Sequence, residues 1–180
     1  MKKTRFIAET ALSCAFIIIC SFISVPMGAV PITLQTLAVT CISGIFGLKT
    51  GILSVLLYIF SGALGLPVFH AGQSDFGILL GPTGGYIIGF IGIAALAGLH
   101  TKNDSVHLFI LHSVIGHLIC YAVGSVWFAV FSENSIGLLG GVVSCVVPFI
   151  IPDAVKIIIS TLIVKRLRPV IRKRRADSSK

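Results

Sequence analysis

Apolar residues in this chain run together in long blocks, and polar residues are confined to the breaks between them. Residues 11–48, for example, contain no Asp, Glu, Lys or Arg. A helix that spans a bilayer needs roughly 20 apolar residues, and blocks of this kind supply them. Strands of a membrane barrel would alternate polar and apolar over about ten residues, which these blocks do not do. Breaks at Gly, Pro and charged positions predict apolar helices over 6–25, 33–48, 51–64, 83–99, 106–131 and 152–167. Residues 136–151 are also apolar but are interrupted by Gly140, Gly141 and Pro148, so they fit either a short helix at the outer face or the first half of a kinked one. The fold class predicted is an all-α integral membrane protein with six transmembrane helices.

Charge gives the helices a direction. Lys2, Lys3 and Arg5 precede the first segment, Lys49 separates the second from the third, Lys102 the fourth from the fifth, and eight basic residues follow the last, from Lys165 to Lys180. The three intervening breaks, 24–32, 65–82 and 132–135, hold no Lys or Arg. Basic residues accumulate in cytoplasmic loops, so both termini are predicted to be cytoplasmic. Thirteen of the fourteen basic residues then share one side, the exception being Lys156. The basic start followed by an apolar run has the outline of a signal peptide but lacks a cleavage site, so it is kept as the first helix. The expected organisation is a single six-helix domain over 1–168 and a basic cytoplasmic tail over 169–180, which would anchor topology and attract anionic lipid.

Composition supports the membrane reading. The 180 residues are 56% hydrophobic and 11% charged, with a mean hydropathy of +1.04, too apolar for a soluble domain. A net charge of +8 would suit nucleic acid, but its confinement to the ends and breaks does not. Five cysteines lie inside apolar runs without paired spacing, which reads as packing rather than disulfide or zinc chemistry.

Against this background "IIPDAVKII" is anomalous, because it places Asp153 and Lys156 within an apolar segment. At i and i+3 the two share a helical face, and Pro152 suits the first position of a helix. A helix over 152–167 is about 24 Å long, so Asp153 would lie near its outer end and Lys156 about one turn deeper. The pair either staples helices by mutual neutralisation or lines a cavity that offers a ligand both an acceptor and a cationic donor. Further polar groups fall on the same outer side: Thr33 and Gln35 in "VPITLQT", and His70, Gln73, Asp75, Thr83 and Tyr86 in or just after the loop 65–82. A loop of that length is either a lid or an ordinary connection.

Other motifs narrow the function. Gly81, Gly85 and Gly89 recur every four residues and form a smooth packing face, and their run matches neither phosphate-binding glycine pattern. His107, His112 and His117 step by about 140° around a helix, unlike paired zinc ligands. No nucleophile motif is present, so neither catalysis nor a cofactor or metal site is expected. Ala8, Ala11 and Ala15 give the first helix a small-residue face with Glu9 beside it, suited to close packing inside the bundle or to docking of another subunit.

Three segments, "VPITLQTLAV", "GLPVF…G…GPTGGYIIGF" and "PFIIPDAVK", occur in an order and spacing that resemble the BioY family, the biotin-specific substrate-binding components of energy-coupling factor (ECF) transporters. The resemblance covers most of the chain. It implies a multi-pass cell-membrane subunit that captures biotin and works with a transmembrane coupling protein and two ATPase subunits. It further implies ligand contacts from Asp153, Lys156 and Tyr86, joined by Gln35, Gln73 and Asp75, and docking of the coupling protein on Ala8, Ala11 and Ala15. Two departures stand out. The family often has Pro-Gly before the aspartate where this chain has Ile151-Pro152, and His70 and Asp75 occupy loop positions where small residues are common. The competing expectations are a self-sufficient carrier or channel, and a membrane assembly factor in which the pair is only a staple.

Overall fold

A computed structural model describes residues 2–26, 30–99, 105–131, 142, 143 and 145–177. Its elements are α1 (Lys2–Phe22), the two-residue strands β1 (Ser24–Val25) and β2 (Ile32–Thr33), α2 (Gln35–Phe46), α3 (Leu48–Ala63), a 3-10 turn (His70–Gly72), the short α4 (Phe76–Leu80), α5 (Gly84–Leu99), α6 (Val106–Phe131) and α7 (Val147–Asp177). Every predicted apolar segment is helical. Three helices are long and apolar enough to cross a membrane by themselves, Lys3–Phe22, Val106–Phe131 and Val147–Ala176; the apolar α2, α3 and α5 are shorter.

Local chemistry accounts for most of the boundaries. Gly47 takes φ 96°, a left-handed conformation that costs glycine little, and so separates α2 from α3 with no loop between them. The antiparallel pairing of Ser24 with Thr33 and Val25 with Ile32 ends α1 earlier than the apolar pattern predicts.

The largest departure is α7. Its expected start at Pro152 is corrected: helix begins at Val147, so residues 147–151 belong to it, while residues 136–141 and 144 lie outside the described residues. Pro152 and Pro169 both lie inside the helix and cannot donate to the carbonyls four residues back. At Pro152, which is partly buried, packing against α2 and α6 carries the backbone through the break, an override that membrane helices commonly permit. The helix also runs on through the basic residues as far as Asp177. There Arg175 Nε donates to Glu9 Oε1 at 3.2 Å, and its guanidinium lies 5.6 Å from the centroid of the Phe46 ring. The far end of α7 is thereby tied to α1 and α2.

The main core gathers around Ile17, Val39, Val55, Tyr58, Phe69 and Ile93, all essentially inaccessible, with a smaller cluster at Ala97, Phe109 and Val164. The five cysteines are buried and free. Outside it, Leu12, Phe16 and Ile19 on α1, Leu118 and Val126 on α6, and Ile151, Val155, Ile158 and Leu162 on α7 are exposed. In water such patches would demand a partner; in a bilayer the acyl chains are that partner.

Two of the three glycines predicted as a packing face, Gly85 and Gly89, close α5 onto α6, whereas Gly81 precedes α5 and ends α4. Without side chains, Gly85 and Gly89 admit the Trp127 side chain and the Cys120 backbone. A Cβ on Gly89 would lie 2.9 Å from Cys120 Cα, a backbone atom that no rotamer change can move. Gly89→Val therefore forces the helices apart. The expected loss is about 1–3 kcal/mol, read as a lower thermal unfolding midpoint in detergent; an unchanged midpoint would contradict this close approach.

Candidate functional site

Asp153 and Lys156 do share a face of α7, one turn apart. Both are buried, at 3% and 6% exposure, with Lys156 Nζ 2.8 Å from Asp153 Oδ1. Removing two ions from water costs several kcal/mol each unless further hydrogen bonds complete their shells. Those bonds come from two other helices. Thr36 of α2 donates to Asp153 Oδ1 at 3.1 Å and accepts from Lys156 Nζ at 3.1 Å. Tyr121 of α6 donates to Asp153 Oδ2 at 2.6 Å, a short charge-assisted contact. The pair thus staples α7 to α2 and α6.

It also lines a cavity. About 60 Å³ of space lies in a pocket between α2, α3, α5, α6, α7 and the loop after α3, lined by the polar Asp153, Lys156, Thr36 and Tyr121 and by Tyr86, Ile87, Phe90 and Phe149. At roughly 10–15 Å³ per water, this holds a few waters or part of a small molecule. The two readings of the pair left open by the sequence are therefore not alternatives, because the same network does both.

Of the residues singled out from sequence, Gln35 and Tyr86 join the charge pair at this cavity. Gln35 begins α2, where its Oε1 accepts from Thr33 Oγ1 at 2.9 Å and its Nε2 donates to the Tyr58 hydroxyl. Tyr86 lies in the first turn of α5 with its ring over Gly124 and its hydroxyl 3.5 Å from Ser125 Oγ. Thr33, His70 and Thr83 also reach the lining. Gln73 and Asp75 do not: both are exposed. Gln73 contributes its carbonyl to the Phe69 amide at 2.9 Å, and Asp75 accepts from Gly77 N at 3.3 Å, which caps α4. Ala8, Ala11 and Ala15 are exposed on one side of α1, away from the cavity.

Thr36, Tyr58 and Tyr121 are the hydroxyl-bearing cavity residues that sequence reasoning missed. Thr36 follows Gln35 directly in the quoted motif, and Tyr121 is a hydroxyl-bearing aromatic in an otherwise apolar helix. Neither signal identifies its partner, since both contacts cross more than 30 residues of sequence. His117 packs behind Tyr121, with ring centroids 6.5 Å apart, and its Nδ1 lies 2.8 Å from the Ser113 carbonyl. Among the described residues no three His, Cys, Asp or Glu side chains are grouped so as to hold a metal.

An all-helical bundle with a lipid-compatible exterior and a buried, charged cavity at one end defines a membrane-embedded small-molecule-binding protein. The chain belongs to the BioY family, whose sequence profile matches residues 1–173. It is 34% identical over 169 residues to "Biotin transporter BioY2" of Lactococcus lactis subsp. cremoris, covering 90% of each chain. It is 38% identical to "Probable biotin transporter BioY" of Pyrococcus horikoshii, over 92% of this chain and 98% of the relative. Its fold is similar to that in the crystal structure at 2.1 Å of the S-component for biotin from an ECF-type ABC transporter, with a TM-score of 0.84, 31% identity and 93% of each chain covered.

The Tyr121 hydroxyl tests the staple. Tyr121→Phe leaves Asp153 Oδ2 without its donor and is expected to cost about 1.5–3 kcal/mol, the range for hydrogen bonds to charged groups. Thermal unfolding in detergent measures this, and a variant as stable as the parent would remove Tyr121 from the supporting network.

Proposed function

We propose that this protein captures biotin from outside the cell as the membrane-embedded substrate-binding subunit of an ECF transporter. The observation that carries the reading is the hydrogen-bonding capacity that the charge pair keeps in reserve. An ionised carboxylate has about four acceptor sites and an ammonium three donors. Asp153 uses both sites on Oδ1, for Lys156 and Thr36, and one on Oδ2, for Tyr121. Lys156 uses two donors, on Asp153 and Thr36. One acceptor, on Asp153 Oδ2, and one donor, on Lys156 Nζ, remain in the pocket that both residues line. Biotin's ureido ring presents the complement, an N–H beside a carbonyl oxygen. Tyr86, Ile87 and Phe90 then supply an apolar wall for the rest of the bicycle. Gln35 supports the floor through Tyr58, while Gln73 and Asp75 shape the loop and are given no ligand contact.

In this arrangement all six apolar helices cross the cell membrane and both termini face the cytoplasm. The three shorter helices are completed by the polar breaks and hairpin that flank them. Residues 169–177 continue α7 into the cytoplasm, where the basic tail over 169–180 meets anionic lipid. Energy comes from elsewhere: the chain carries no phosphate-binding loop, and a transmembrane coupling protein with two ATPase subunits would drive release. The exposed Ala8, Ala11 and Ala15 face of α1 is the surface on which the coupling protein docks, since small residues let a partner helix approach closely.

Equilibrium binding of labelled biotin to the purified chain in detergent tests the assignment. Saturable binding is expected, weakened about tenfold or more in Asp153→Asn and in Lys156→Met, with unfolding midpoints recorded to confirm folded protein. A folded parent chain that binds no biotin would overturn it. The docking face makes a separate prediction. Ala11→Leu should leave biotin affinity unchanged and abolish uptake in cells that carry the energising module, whereas full uptake would remove this face from the interface.

A further inference from the structure

The cavity is lined by a second group able to take up positive charge that the charge network does not use. Of the side chains lining it, Lys156 and His70 alone among the described residues can carry positive charge. Lys156 is held by Asp153 and Thr36. The His70 imidazole hydrogen-bonds to no described residue, and it reaches the cavity from the loop rather than from the helical floor.

Its position is set by its neighbours. Phe69 is fully buried and packs edge-on to Tyr58, with ring centroids 5.4 Å apart at 82°. The Phe69 ring occupies the space that a side chain at Gly62 would fill. One residue earlier, the Val68 carbonyl accepts from Ser21 Oγ of α1 at 2.7 Å. On the other side, Ala71 and Gly72 take φ 56° and 74°, and Gly72 N donates to the Phe69 carbonyl at 3.1 Å. A left-handed alanine persists only where the surroundings hold it. His70 is thus a pinned half-buried group rather than a freely moving loop side chain.

We infer that His70 is the partner of the ligand's carboxylate, closing the cavity from the loop side while the Asp153–Lys156 pair holds the polar ring at the floor. This rests on the biotin reading above, and it gives the acid tail a counter-charge that the floor cannot offer. It also makes capture pH-dependent. Burial pushes the imidazole below its ordinary value in the empty protein, so the group is neutral there at neutral pH. A carboxylate alongside favours the protonated ring, so its value is higher in the complex than in the empty protein. Binding then takes up a proton, and affinity rises as pH falls from the complex's value towards that of the empty protein.

Other titratable groups facing the cavity are Tyr58 from α3, Tyr86 from α5, Cys120 and Tyr121 from α6, and Asp153 and Lys156 from α7. His117 of α6 lies behind Tyr121. The packed α1 brings Phe22 to Gly72, and beyond Glu9 its only ionisable groups are the thiols of Cys14 and Cys20. Asp75, further along the loop, is exposed. A pH effect arising from any of these would survive substitution of His70.

The test is biotin affinity of the purified chain between about pH 6 and pH 8, for the parent and His70→Gln, with biotin methyl ester as a ligand lacking the charge. The parent is expected to bind biotin about fivefold or more tighter at the acid end, His70→Gln to show a flat profile near the parent's pH 8 affinity, and the ester to show no trend in either protein. Biotin binding with the same pH profile in parent and His70→Gln would overturn the role of His70 and leave the biotin assignment standing. Absence of biotin binding by folded parent chain at every pH would overturn the assignment and this inference with it.

Discussion

A lysine and an aspartate buried one turn apart in an apolar helix are the constraint around which this bundle is organised. Neither charge is tolerable alone in such surroundings, and even as a pair they retain unsatisfied donors and acceptors. Thr36 and Tyr121 meet that demand from two different helices, separated from the pair by 117 and 32 residues of chain respectively. The arrangement of α2, α6 and α7 around the cavity is therefore the arrangement that satisfies one carboxylate and one ammonium. A pair that served only as a staple would use all of its bonding capacity, but this one keeps an acceptor and a donor in reserve at a cavity wall.

The apolar parts of the fold make that geometry possible without a hydrophobic driving force between helices. Within lipid, association rests on close packing and on the few polar contacts available. Gly85, Gly89 and Gly92 on α5 and Gly116 and Gly124 on α6 provide the first, letting one helix lie against the backbone or side-chain roots of the other. Tyr86 benefits directly, because its ring rests where Gly124 has no side chain. The same small-residue logic appears on the outside of α1, where Ala8, Ala11 and Ala15 are exposed.

The loop after α3 is more ordered by contacts than its composition suggests. Phe69 fills the notch above Gly62 and braces Tyr58, which in turn bonds Gln35 at the cavity wall. The position of the loop and the geometry of the cavity are thus coupled through one aromatic pair, and His70 takes its place at the mouth from the residue beside it. The Asp75 side chain, chosen from sequence for its polarity, caps α4, while Gln73 closes the turn through its backbone.

Much of the architecture was legible from the linear pattern. The apolar blocks located each of the predicted helices because lipid exposure demands continuous apolar sequence, and α6 starts at Val106, just past the charged break. The Asp153–Lys156 pair was conspicuous for the same reason, since a charge inside such a block has no bland solvent-facing explanation. Pro152 misled, because its preference for a helix start is a local property that packing against other helices overrides. Gln73 and Asp75 lie outside the cavity lining, and polarity in the sequence does not say which loop groups face it. Thr36, Tyr58 and Tyr121 were invisible as site residues, each being an ordinary hydroxyl in an apolar helix until another helix is brought against it. What the sequence by itself determined was which segments could live in lipid and which charges could not be left alone there. Only the tertiary structure decided which distant groups complete those charges, because hydrogen bonds are directional contacts of about 3 Å and linear order does not encode them.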